Sequence, residues 1–182
     1  MSFFNRRGIV CAMKPQQKSL IAALALLVFA SFSAPVLAQE GAVLAGAELT
    51  RVVPAAFYFQ GQSAPTQMRN SAAARFGKER FVIAGMVDTS GYSAEVRARY
   101  QGFFITDSSI TVGGETLPTG AYGFGFTNDG KFNILDLAGN QVLSVSTTND
   151  KALKRPRPFT MTMDGANVRL YAGRDYVVIA AK

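Results

Sequence analysis

The sequence predicts an all-β domain, mainly an antiparallel β-sandwich or a small barrel, with one or two short helices. Three observations lead there. Eight or more short runs rich in Val, Ile, Phe, Tyr and Thr recur at spacings of about 8–12 residues. Turn signals separate them, among them Gly113-Gly114, Asn128-Asp129-Gly130 and Asp164-Gly165. These connections are mostly tight, and tight turns join only antiparallel neighbours. The chain shows no internal repeat.

Residues 1–38 read as a cleavable secretion signal. Arg6, Arg7, Lys14 and Lys18 give a basic start without an acid. Leu20 to Phe32 is an apolar run broken only by Ser31, too short for the ~20 residues of a membrane span. Pro35 ends it, and Val36-Leu37-Ala38 supplies a cleavage site before Gln39. Arg6-Arg7 raises a twin-arginine route; the distance to the apolar run favours the general secretory one. Met13 is an alternative start. Either way, residues 39–50 read as a flexible lead-in and 51–182 as a single all-β domain.

Along that domain, Arg51-Val52-Val53 and Ala55–Phe59 flank Pro54 and read as a short or edge strand, since proline cannot sit in a central ladder. Residues 66–76 fit two periods. Met68, Ala72 and Phe76 would share a helix face; Met68, Ala72, Ala74 and Phe76 also alternate as in a strand, and a strand turning at Gly77-Lys78 into Phe81–Val87 is preferred. Asp88-Thr89-Ser90-Gly91 is a turn. Ser93 can cap a helix over Ala94–Tyr100, with Glu95 in its first turn and Arg99 four residues on. Strands follow at Phe103–Thr106, Ile110–Val112, Glu115–Leu117, Tyr122–Phe126, Phe132–Leu137, Val142–Val145, Phe159–Met163, Val168–Tyr171 and Tyr176–Ala180. Most are shorter than the 9–11 residues of a membrane-spanning barrel strand, which disfavours an outer-membrane barrel.

Composition excludes much chemistry. The chain has no His and no Trp, and its single cysteine, Cys11, lies in the leader. The mature domain therefore has no disulfide, no cysteine nucleophile, no His-based triad and no His/Cys metal or haem site. No cofactor and no metal are expected. Four of the 19 basic residues and none of the 12 acidic ones lie in the leader, leaving 15 against 12, or +3. That excess is too small to argue for nucleic acid.

Ile110 to Phe126, ITVGGETLPTGAYGFGF, resembles a hairpin of uncharacterised families of secreted bacterial β-proteins, in which a glycine turn is followed by Leu-Pro-x-Gly-x-Tyr. FYFQGQSAPTQMRNS and VDTSGYS are similar to one such family of exported proteins of unknown function. Together they cover about 40 residues. The resemblance implies a secreted all-β domain and supplies no catalytic residue.

Several clusters are candidate sites. Gln62, Gln67, Arg69 and Asn70, beside Tyr58, form the richest set of hydrogen-bonding side chains and would suit a polar ligand; a polar surface loop is the competing reading. Lys154, Arg155 and Arg157, stiffened by Pro156 and Pro158, would suit an anion; a solvated connector that blocks a sheet edge is the favoured alternative. Gly123 and Gly125 alternate with Tyr122, Phe124 and Phe126, leaving either a groove or aromatics in the core with the glycines facing a covering strand, the second being favoured. Asn128-Asp129-Gly130 lacks the spaced carboxylates of a calcium loop and reads as a turn. Glu79, Asp88, Glu95, Asp107, Glu115, Asp136 and Asp175 are the carboxylates a hydrolase could use, and sequence brings no two of them together.

The expected function is a periplasmic or secreted binding or interaction module for a polar ligand or envelope component, with no nucleic-acid partner and no membrane span after cleavage. A carboxylate-dependent hydrolase acting on envelope glycans and a structural envelope protein without small ligand are the alternatives; the missing histidine weighs against catalysis. In any ligand site, Gly61–Asn70 is expected to contribute more than Lys151–Pro158. Protein recovered from the periplasm or medium should have the intact mass of a chain beginning at Gln39. A membrane-bound species that keeps Leu20–Phe32 would overturn the leader assignment.

Overall fold

The computed structural model describes residues 41–77 and 79–182. The segment 1–38 read as a leader, the expected cleavage site at Ala38-Gln39, and Lys78 lie outside the described residues. The rest is all-β, with two antiparallel sheets and two short helices.

The chain enters as strand β1 (Ala42–Val43) and helix α1 (Gly46–Val52). Arg51 and Val52 thus finish a helix where the sequence suggested a strand. Glu48 in its first turn and Arg51 in its last complement the helix dipole. Val53 must be extended because proline follows it, and the helix stops there. The next strands are β2 (Ala56–Phe59), β3 (Gln62–Phe76) and β4 (Arg80–Val87). The strand reading of residues 66–76 holds, as part of a fifteen-residue strand. Helix α2 (Ala94–Arg99) starts at Ser93, whose Oγ accepts from Val96 N–H at 3.3 Å.

The remaining strands are β5 (Gly102–Thr106), β6 (Ile110–Val112), β7 (Glu115–Leu117), β8 (Gly120–Thr127), β9 (Lys131–Leu135), β10 (Gln141–Ser146), β11 (Thr148–Asn149), β12 (Arg157–Asp164), β13 (Asn167–Gly173) and β14 (Asp175–Ala181). Gly113 and Gly114 both take positive φ in the tight β6–β7 turn. The larger sheet runs β1-β3-β4-β5-β8-β9-β10, with β2 on β3; the smaller runs β12-β13-β14-β6-β7, with β11 on β14.

The main core lies between the sheets. Phe124 of β8 stacks on Phe159 of β12 at 5.4 Å, and Phe104, Phe132 and Ile134 meet Val168, Leu170, Val177 and Ile179. The larger sheet also buries residues of its other face. There Phe57, Phe59, Tyr92, Tyr100, Phe103 and Leu135 form a second core beneath α1, α2 and the β2–β3 hairpin. Phe59 and Tyr100 stack with centroids 3.9 Å apart and planes within 9°.

Gly123 and Gly125 make this second layer possible. A Cβ on Gly123 would stand 2.6 Å from Phe59 Cε2, and one on Gly125 would strike the Arg99 carbonyl. The aromatics of that strand face the sheet interior and the glycines face a covering layer, so no groove lies open there. The cover over Gly123 is the ring of Phe59, from strand β2, and that of Tyr100; over Gly125 it is the end of α2, where the sequence suggested a strand. Tyr92 Oη donates within this layer, reaching the Phe59 carbonyl at 3.1 Å. Burial raises the Tyr100 phenol far above its ordinary value, so it stays protonated.

The hairpin tip is tied down too. Gln60 has φ of 47°, a left-handed conformation uncommon for a side chain, next to Gly61 at 80°. Its N–H donates to Leu137 O at 2.9 Å and its side-chain amide to Ala138 O at 3.1 Å. Arg99 Nη1 donates to Gly139 O at 3.0 Å, so three successive carbonyls of the β9–β10 loop are held.

Gly123→Ala is expected to cost ~1–3 kcal/mol by overpacking. Gly91→Ala, whose Cβ would make ordinary contact at 3.5 Å, should stay within ~0.5 kcal/mol of the parent. Denaturant unfolding of the two variants measures the difference.

Candidate functional site

The site begins with a defect in β3. Its first part pairs with β2 and its last part with β4, and the register with β4 shifts between Thr66↔Val87 and Ser71↔Gly85. Four residues, Gln67 to Asn70, therefore bulge opposite one, Met86. Gln67 closes the bulge: its Nε2 donates to Val87 O at 3.1 Å, and its Oε1 accepts from Asn70 Nδ2 at 2.9 Å. Ser71 Oγ donates to Gln67 O at 3.2 Å. With those groups satisfied internally, Arg69 is left exposed at the crest.

A second irregularity faces it. β12 opens with Arg157 paired to Gly173 and slips before Thr160 pairs with Tyr171; Pro158, which lacks an N–H, sits in the slip. Between the two irregular strands lies a cleft of about 480 Å³. Arg69, Asn70 and Ser71 line it from β3, and Arg157 and Thr160 from β12. Val43, Leu44 and Leu49, from β1 to α1, and Met68, Ala72, Phe159 and Met161, from β3 and β12, are its apolar lining. Ala72, Phe159 and Met161 belong to the inter-sheet core, so the cleft reaches down to it.

The electrostatics are one-sided. Among the described residues, two arginines line the cleft and no carboxylate does. Among the described residues the ion pairs are Lys131–Asp129 and Arg169–Asp164, so no such partner neutralises Arg69 or Arg157. Guanidinium groups present planar forks of donors that match carboxylate and phosphate oxygens.

The candidate residues separate accordingly. Arg69, Asn70 and Arg157, drawn from two different clusters, meet in the cleft. Tyr58, 58 % exposed on β2, does not line it, nor does Gln62, whose carbonyl accepts from Tyr92 Oη at 3.3 Å. Gln67 shapes the bulge without lining the cleft. Lys154 and Arg155 are exposed just before β12 and outside the lining. The preceding loop is anchored by Tyr171 Oη to Asp150 at 3.1 Å and by Arg174 to Leu153 O at 3.1 Å. Sequence reasoning missed the apolar walls. Val43-Leu44 and Leu49 stood in the segment read as a lead-in, and their recurrence was the available signal.

Four of the candidate carboxylates accept structural hydrogen bonds, Asp88 and Asp136 within their own turns and Asp107 and Asp175 from distant segments. Asp107 accepts from Phe81 N–H at 2.8 Å, Asp88 from Ser90 N–H at 3.0 Å, Asp136 from Asn140 N–H at 2.8 Å, and Asp175 from Asn149 Nδ2 at 2.6 Å. The Ser90 backbone N–H lowers the Asp88 pKa, and the Asn140 side chain lowers that of Asp136. A carboxyl acting as general acid needs its pKa raised, the opposite direction.

Comparison with family models, curated proteins and solved structures finds no match to this chain.

Gln67→Ala should destabilise the fold by ~0.5–1.5 kcal/mol through loss of the bulge hydrogen bonds. Tyr58→Ala, at an exposed position, should change stability by less than ~0.5 kcal/mol. Urea denaturation distinguishes them; equal effects would mean that Gln67 does not brace the bulge.

Proposed function

We propose that the mature domain is an exported binding module whose ligand places an anionic group between Arg69 and Arg157. The observation that carries this reading is the convergence of two arginines, from different sheets, on a cleft lined by no carboxylate among the described residues. The cleft falls within the size range of small-molecule sites, about 300–1,000 Å³, and combines apolar walls with a few polar groups, as such sites do. Export rests on the leader. The glycan-hydrolase alternative is disfavoured because none of the seven candidate carboxylates lines the cleft.

Matched probes test the reading by calorimetry: octanoate against octanol, and N-acetylmuramic acid against N-acetylglucosamine. The charged member of at least one pair should bind more tightly. Arg69→Ala and Arg157→Ala should each cost about 1.5–3 kcal/mol of that binding, the range for hydrogen bonds to charged groups. Lys154→Ala/Arg155→Ala should leave it nearly unchanged. If neither pair shows a preference for charge, the anion site is wrong.

A further inference from the structure

We infer that the ligand of the cleft is a single-chain amphiphile, with an anionic head on Arg69 and Arg157 and an apolar chain along Leu44, Leu49, Met68 and Met161. This rests on the anion-binding reading above and adds the chemical class of the ligand. The argument is one of volume and lining. A compact anion such as phosphate would occupy only a small part of about 480 Å³, and the rest of the lining is shared about equally between polar groups and apolar side chains such as Leu49 and Met68. Leaving such side chains wet is unfavourable, and burying methylene groups against them contributes ~0.8 kcal/mol each, or roughly fourfold in affinity. Methionine suits a chain of variable shape, because its unbranched, polarizable side chain adapts to irregular surfaces.

The lining also argues against a sugar ring. The single aromatic residue of the cleft, Phe159, is buried and stacked on Phe124 with planes at 22°, so that face of its ring is taken up in the core. No tyrosine lines the cleft and the chain has no tryptophan, so the usual flat amphipathic platforms are missing. The arginines stand on bulged or newly started strands at the rim, and the apolar floor continues into the inter-sheet core. A head at the rim and a chain directed inward follow from that order.

The test is calorimetry of the mature domain with acetate, octanoate, dodecanoate, dodecyl phosphate and dodecanol, all below their aggregation concentrations. Affinity should rise at least about tenfold from octanoate to dodecanoate. Both dodecyl anions should bind at least about tenfold tighter than dodecanol. Arg69→Ala/Arg157→Ala should remove that charge preference and keep the dependence on chain length. Leu49→Gln, at a partly exposed position, should weaken dodecanoate and leave the charge preference. Nuclear Overhauser contacts from chain methylenes to the Met68 and Met161 methyls give a readout that needs no variant. If acetate, octanoate and dodecanoate bind alike, the amphiphile is wrong and the anion site stands. If affinity follows chain length with no preference for charge, the arginine pair is wrong. Binding to phosphatidylglycerol vesicles without binding of monomeric dodecanoate overturns the single-chain assignment. If none of these probes binds, the amphiphile is overturned, and if N-acetylmuramic acid also shows no binding, the anion site is overturned with it.

Discussion

The larger sheet carries large apolar side chains on both faces, and a sheet of that kind has to be covered twice. On one face Phe104, Phe124, Phe132 and Ile134 meet the smaller sheet; on the other Phe103 and Leu135 have no sheet opposite them. The chain covers that second face with a hairpin and two short helices, and the stack of Phe59 on Tyr100 joins them. The rings can lie close only because Gly123 has no side chain beneath them. Each fully buried aromatic contributes on the order of 1.5–3 kcal/mol, so this layer is a large part of the stability of a domain without disulfides. It also explains why β3 has fifteen residues. One end must pair with β2 over the second core, while the other stays in the main ladder.

That double duty produces the cleft. A strand that changes partners accumulates a mismatch, and the four residues from Gln67 to Asn70 absorb it. Gln67 satisfies the polar groups of the bulge, so the backbone distortion does not require a ligand to hold it. What remains is an arginine raised at the border between the sheets, opposite Arg157 at the irregular start of β12. The candidate site is thus a by-product of covering the larger sheet's second face, and its shape rests on rigid elements rather than on a loose loop.

Local chemistry carried much of the fold. Turns such as Gly113-Gly114 were legible because few residues adopt positive φ at two successive positions. The Ser93 cap and the strands from Phe103 onward were legible because capping and alternation are properties of adjacent residues. Helix α1 was not, because its seven residues have little intrinsic stability and depend on packing Leu49 and Val52 against the second core. Gly123 and Gly125 could be seen to face something, but the covering element is remote in the chain.

The candidate site divides in the same way. By itself the sequence determined the all-β class, the turn positions, the absence of histidine and cysteine from residues 39–182, and the two polar clusters. It could not decide which members of those clusters meet. Tyr58, Gln62 and Gln67 resemble Arg69 and Asn70 in composition, and Lys154 and Arg155 resemble Arg157. Only the tertiary structure separated them, because convergence depends on strand register and on which edges of two sheets come together. Those are long-range outcomes of packing, and no periodicity within one segment encodes them.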